Sequence, residues 1–110
     1  MGVTHTHLFT DKQNELARLA KALGHPARIA ILEFLLEANA CINSDLVEEL
    51  GLAQATISQH LRELKDLGII QGTVEGVSVC YCIHPQKWKE MEGLFNGLFG
   101  KLGAPTDACC

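Results

Sequence analysis

The chain has 110 residues, 47% of them hydrophobic, which suits one compact domain with one core and leaves too little chain for two. Its 9 basic and 13 acidic residues give a net charge of −4, which argues against indiscriminate nucleic-acid binding but leaves room for a local basic surface doubled in a dimer. No apolar run approaches the roughly 18 residues of a membrane span, the N-terminus lacks the charged-then-apolar order of a signal peptide, and the five cysteines are an odd number, so a soluble cytoplasmic chain with reduced thiols is expected.

Residues 1–9 have no period and read as a flexible arm, with His5 and His7 a weak metal pair at most. Thr10 and Gln13 form a capping-box pattern that predicts the start of a first helix, and Leu16, Leu19, Ala20 and Leu23 give it an apolar stripe ending at Gly24. His25-Pro26 opens a second helix in which Ile29, Leu32, Leu35 and Leu36 are the expected buried positions, with Asn39 as its stop. Asn43 or Ser44 can cap a third helix carrying Leu46, Val47 and Leu50 inward and Asp45, Glu48 and Glu49 outward.

Gly51 and a short link lead to a fourth helix, so the third and fourth form a helix-turn-helix. In the fourth, Ile57, Leu61 and Leu64 step by four and three residues onto one stripe. The opposite face carries small, amide and basic groups, which is what reading a major groove requires: backbone can approach closely, and Gln can bond a base edge twice. Gln54, Ala55, Thr56, Ser58 and Gln59 are the candidate base readers, and Arg62 is better placed for phosphate. His60 lies toward the side of this helix and reads as a packing or phosphate residue.

Gly68 ends the helix, and the period then changes to that of a hairpin: Ile69–Val74, the turn-prone pair Glu75-Gly76, and Val77–Ile83. Val77, Val79, Tyr81 and Ile83 should share one face, and Ser78, Cys80 and Cys82 the other. A hairpin directly after such a helix is a wing, and the acidic Glu75 at its tip disfavours phosphate. His84-Pro85 opens a last helix to about Leu102, in which Trp88, Met91, Phe95, Leu98 and Leu102 follow the three-four spacing of a helix-pair seam. The expected partners are the first helix, the same helix of a second subunit, or both, which makes Leu16, Leu19, Trp88, Met91, Phe95, Leu98 and Leu102 the expected dimer interface. Gly93, Gly97 and Gly100 weaken the helix but permit close contact. The expected architecture is mainly α with a small β-hairpin, a winged helix-turn-helix of order ααααββα over residues 10–102, followed by a mobile cysteine-bearing tail, 103–110.

Two stretches carry a resemblance: Leu19-Ala-Lys-Ala-Leu-Gly-His-Pro-Ala-Arg-Ile-Ala-Ile-Leu32, with its His-Pro-x-Arg segment, and Ala53-Gln-Ala-Thr-Ile-Ser-Gln-His-Leu-Arg-Glu-Leu-Lys-Asp-Leu-Gly68. Together they resemble the ArsR/SmtB family of bacterial metal-responsive repressors over roughly Leu16 to Trp88. The resemblance implies a homodimer that sits on a two-fold double-stranded operator and releases it when a thiophilic or divalent ion binds. Ala53 departs from the family, many of whose members place a capping Ser there, a loss of about 0.5 to 2 kcal/mol of local helix stability.

The family's arsenic sensors resemble Cys41–Leu46 but carry a second cysteine where this chain has Asn43. As(III) and Sb(III) are soft centres that favour thiolates, and adjacent Cys109 and Cys110 on a mobile tail can complete a site with Cys41. Ordering the tail would then shift the helix-turn-helix and spoil a half-site spacing of about 34 Å. Cys80 and Cys82 are the alternative metal or redox pair, with packing as their plainer role. Three functions follow: a repressor released by arsenite or antimonite, a thiol redox-sensing repressor of the same fold, and a winged-helix protein-interaction module without DNA. No nucleophile triad, phosphate loop or paired carboxylate points to an enzyme.

Overall fold

The computed structural model describes residues 8–38, 50–75 and 78–103. Helix α1 spans Asp11–Ala22, α2 Pro26–Ala38 and α3 Gln54–Asp66. Strands β1 (Ile70–Glu75) and β2 (Ser78–Ile83) follow, then α4 (Pro85–Phe99) and a 3₁₀ turn over Gly100–Leu102. The expected third helix, with caps Asn43 and Ser44, lies outside the described residues, apart from Leu50, which is helical and packs against the core. The arm up to His7 and the tail from Ala104 lie outside them as well.

The helix ends follow local chemistry. The Thr10 hydroxyl accepts the Gln13 N–H at 3.0 Å while the Thr10 N–H donates to the Gln13 side chain at 2.9 Å, the reciprocal pair expected of a capping box. At the far end of α3 the Gly68 N–H reaches the Lys65 carbonyl at 2.9 Å and the Ile69 N–H reaches the Leu64 carbonyl at 3.1 Å. This paired closure needs a left-handed residue, and Gly68 supplies it with φ 82°. His84 caps α4 by accepting the Lys87 N–H on Nδ1 at 3.2 Å, with Pro85 in the first turn. Ala53, as expected, offers α3 no side-chain cap.

Among the described residues, the central core cluster draws on Leu19 from α1; Ile31, Leu32 and Leu35 from α2; Ile57, Leu61 and Leu64 from α3; Ile69 and Ile70 at the start of the hairpin; and Met91 from α4. The α3 stripe is the one expected. The α2 stripe is not: Ile29 and Leu36 are exposed, and the buried line runs Arg28, Ile31, Leu32, Leu35. Apolar residues occur on almost every side of α2, so periodicity could not select the inward face, and the neighbouring helices did. On α1, Ala22 is buried where Ala20 was expected.

The strands are antiparallel, and their register runs from Ile70 opposite Ile83 to Glu75 opposite Ser78. Glu75, expected in the turn, is thus the last residue of β1. Neither strand face is left to solvent alone: Tyr81 and Ile83 pack against the core while Cys80, on the other face, is 5% exposed.

α4 packs on α1, and the Lys87 ammonium bridges to the Glu15 carboxylate at 3.1 Å. The expected dimer seam divides here. Leu19 and Met91 are buried within this one chain, at 0% and 4% exposed, and so belong to its own core and not to a surface open to a second copy. Leu16, Trp88 and Phe95 are half-buried, whereas Leu98 at 48% and Leu102 at 72% are open.

Candidate nucleic-acid interface

Burial of Ile57, Leu61 and Leu64 turns the other side of α3 outward. Gln54, Ala55, Thr56, Gln59 and Arg62 are all exposed, and Ser58 is half-buried at the edge. The first turn has only short side chains beside Gln54, so its backbone can be approached closely. The two amides are engaged along the helix: Gln54 Nε2 donates to the Ser58 hydroxyl at 3.1 Å and Gln59 Nε2 to the Glu63 carboxylate at 3.0 Å. Both bonds are exposed and exchange readily for others, and they hold the amides along the outer face. Among the described residues Arg62 makes no ion pair, and its side chain is exposed.

The inner edge of the same helix is held by a residue the sequence analysis passed over. Arg28, only 7% exposed, sits in the first turn of α2 and satisfies its guanidinium on three acceptors from two neighbouring helices. Nη1 donates to the Ala22 carbonyl at the end of α1 at 3.1 Å, Nε donates to His60 Nδ1 at 3.0 Å, and Nη2 pairs with the Glu63 carboxylate. The cation also suits the negative end of the α1 dipole. The visible signal was the His25-Pro26-Ala27-Arg28 segment: Pro26 sets the start of α2, and that places Arg28 one turn in, facing both neighbours. His60 thus has a packing role, as one of the two readings held. Burial first, then the positive charge of Arg28 and of His25, hold its pKa below the usual 6.5. The His25 and His60 rings lie 5.9 Å apart. Beside them opens a depression of about 510 Å³ lined by Arg18, Lys21, His25, Arg28, Glu63 and Leu67, among others.

The thiol candidates separate. Cys41, Cys109 and Cys110 lie outside the described residues. Cys80 and Cys82 lie on one face of β2, not joined in a disulfide; Cys82 is half-buried and accepts from Gln71 Nε2 at 3.7 Å, its cross-strand partner. Among the described residues no group of three or more His, Cys, Asp or Glu could hold a metal ion. Two strand thiols fall short of the three that a trivalent soft centre takes.

Residues 25–71, from His25 through α3 into β1, match the arsR family of bacterial regulatory proteins. The HTH-type transcriptional regulator MJ1325 of Methanocaldococcus jannaschii is 35% identical over 88 residues, which cover 80% of this chain and 99% of that one. The HTH-type transcriptional regulator CmtR of Mycobacterium tuberculosis is 38% identical over 72 residues, 66% of this chain and 60% of CmtR. Among solved structures, HlyU from Vibrio cholerae is similar with a TM-score of 0.66 and 27% identity, covering 83% of this chain and 98% of that one.

Proposed function

Because this chain belongs to the ArsR/SmtB family of winged helix-turn-helix transcriptional regulators, we propose that it is a homodimeric repressor released from a two-fold operator by a thiophilic metalloid, As(III) or Sb(III). The observation that carries the DNA part is the division of α3: its apolar side is locked into the core while Gln54, Ala55, Thr56, Gln59 and Arg62 stand open along one face. In this reading those residues and Ser58 meet base edges, with Arg62 toward phosphate. A net charge of −4 makes a single copy a weak binder, so affinity depends on two copies held at a fixed spacing. The exposed Leu98, Phe99 and Leu102 support a second copy as the partner of α4, and a Cβ at Gly93, Gly97 or Gly100 would meet nothing within 4 Å in one chain, which leaves room for close approach.

Cys41, Cys109 and Cys110 are the proposed ligands, because the described cysteines number two and the donor chemistry of three thiolates fits a soft trivalent centre. When bound, the metalloid links thiolates that are far apart in sequence. The chain's own part is to draw the tail toward the start of the helix-turn-helix and so shift the two α3 helices off their spacing. To switch from nearly full to nearly empty occupancy, the released form must be favoured by about 5.5 kcal/mol. No described helix is long and apolar enough to cross a membrane, and we place the protein in the cytoplasm, acting without catalysis.

A second reading, thiol redox sensing in the same fold, draws on Cys80 and Cys82, two cysteines sharing one face of β2 and not joined in a disulfide. A fluorescence-anisotropy titration of operator-bound protein with arsenite, antimonite, cadmium and zinc tests the inducer, repeated with Cys109→Ser and Cys110→Ser. Arsenite is expected to release the wild type and not the tail variants. Release by peroxide with no response to arsenite would replace the metalloid by oxidation, and failure to bind DNA at all would leave the chain a protein-interaction module.

A further inference from the structure

A buried guanidinium has five N–H donors and no acceptor, so its neighbours must supply acceptors. For Arg28 one of them is an imidazole nitrogen: Nε donates to His60 Nδ1 at 3.0 Å. Such a bond exists only while the ring is neutral, with its proton on Nε2, because an imidazolium carries N–H at both nitrogens. The tie is therefore conditional on a proton, and it sits on the back of the helix whose front carries Gln54, Ala55, Thr56, Gln59 and Arg62.

The groups facing His60 make that proton costly. From α2 comes Arg28 and from the α1–α2 link His25, with its ring 5.9 Å away, while Arg18 and Lys21 of α1 line the depression beside Arg28 and His25. Among the described residues, the acid of this cluster is Glu63, one turn along α3, and Arg28 already pairs with it. A proton on His60 would turn the Arg28 bond into two donors facing each other and set a second positive charge beside a guanidinium that is only 7% exposed. The depression of about 510 Å³ gives solvent access to the cluster.

We propose that His60 is a positioning residue for operator binding: its neutral ring, gripped by Arg28, seats α3 against α1 and α2, and proton uptake at His60 loosens the seat and weakens the hold on DNA. This rests on the reading of α3 as the DNA-contacting helix. The sign follows from the lowered pKa of His60, which burial and then Arg28 and His25 produce. The neutral ring and its tie are fully present above 6.5, the ordinary value, and are lost as pH falls through the lowered one. Protonation of histidines near DNA ordinarily adds charge and tightens binding, so the expected direction is the reverse of the common one.

The test uses the full-length protein and a duplex enriched by the wild type from a random library at pH 8. Anisotropy titrations from pH 8 to 5.5 at constant ionic strength compare the wild type with His60→Asn and His60→Ala. The Asn carbonyl hangs from the same γ-carbon as Nδ1, accepts from Arg28 and cannot take a proton. His60→Ala should bind more weakly at every pH, and His60→Asn should restore wild-type affinity at pH 8. Below the pKa of His60 the wild-type Kd should rise by up to about tenfold per pH unit, while that of His60→Asn stays level or falls. NMR of the imidazole nitrogens should find the proton on Nε2 at pH 8 and a midpoint below 6.5. Equal pH slopes in wild type and His60→Asn, or a proton on Nδ1 at pH 8, would overturn the proposal even if His60→Ala did not fold. Enrichment of no duplex would sink the DNA reading itself and this inference with it, a result distinct from equal slopes on an enriched duplex.

Discussion

In α3, Ile57, Leu61 and Leu64 recur every three or four residues and all three are buried in the core, whereas along α4 and the 3₁₀ turn after it similar spacing carries Met91 inward, leaves Trp88 and Phe95 half-covered, and leaves Leu98 and Leu102 in the open. The two stripes differ in what lies across from them. α3 is sandwiched between the hairpin and the α1–α2 pair, with Arg28 fastening its edge to both of those helices. α4 packs on α1, tied to it near its start by the Lys87–Glu15 bridge, while Leu98 near its end stands exposed. A helical period therefore reports that a face will be covered, and the neighbouring elements decide by what.

The contrast can be broken most forcefully from the α3 side. Leu64→Ala, at a fully buried position, should lower stability by about 2–5 kcal/mol, since it removes a core side chain and leaves a cavity. Urea denaturation at fixed protein concentration reads this, and a loss below about 1 kcal/mol would mean that α3 is less firmly seated than its burial implies. Leu98→Glu tests the other stripe. Its effect on stability in dilute solution should stay within about 0.5 kcal/mol, as for an exposed site, while self-association in sedimentation equilibrium should weaken by tenfold or more, equivalent to about 1.4 kcal/mol. Unchanged association would remove the C-terminal half of α4 from the dimer interface. The smallest effect is expected from Ala53→Ser, which gives α3 the side-chain cap it lacks. A gain of about 0.5–2 kcal/mol in the same denaturation experiment is expected, and no gain would show that another group already serves the first turn.

Much of the candidate interface was legible in order. The inward stripe of α3 was read from three leucine and isoleucine positions, and its outward face follows from that stripe by geometry alone. The uncapped start at Ala53 and the closing glycine at Gly68 were equally visible, because each acts on backbone groups within one turn. The inner edge was not legible. Arg28 in a first helical turn reads as an ordinary surface cation, and nothing near it in the chain announces partners on α3 such as His60, 32 residues away. Glu75, expected in the turn, instead closes β1 opposite Ser78, because the cross-strand register and not the local turn preference fixes where a strand ends.

The amino-acid sequence by itself determined the order of elements, the reciprocal cap at Thr10, the entry at His84-Pro85 and the core face of α3. All of these are decided by hydrogen bonds and side-chain spacings within four or five residues. Only the tertiary structure decided which side of α2 faces inward, that Leu19 and Met91 fill the chain's own core, and that a buried arginine grips α3 through a histidine. Those outcomes depend on contacts between residues far apart in the chain. Local periodicity sets where a side chain points on its own helix and is silent about what waits there.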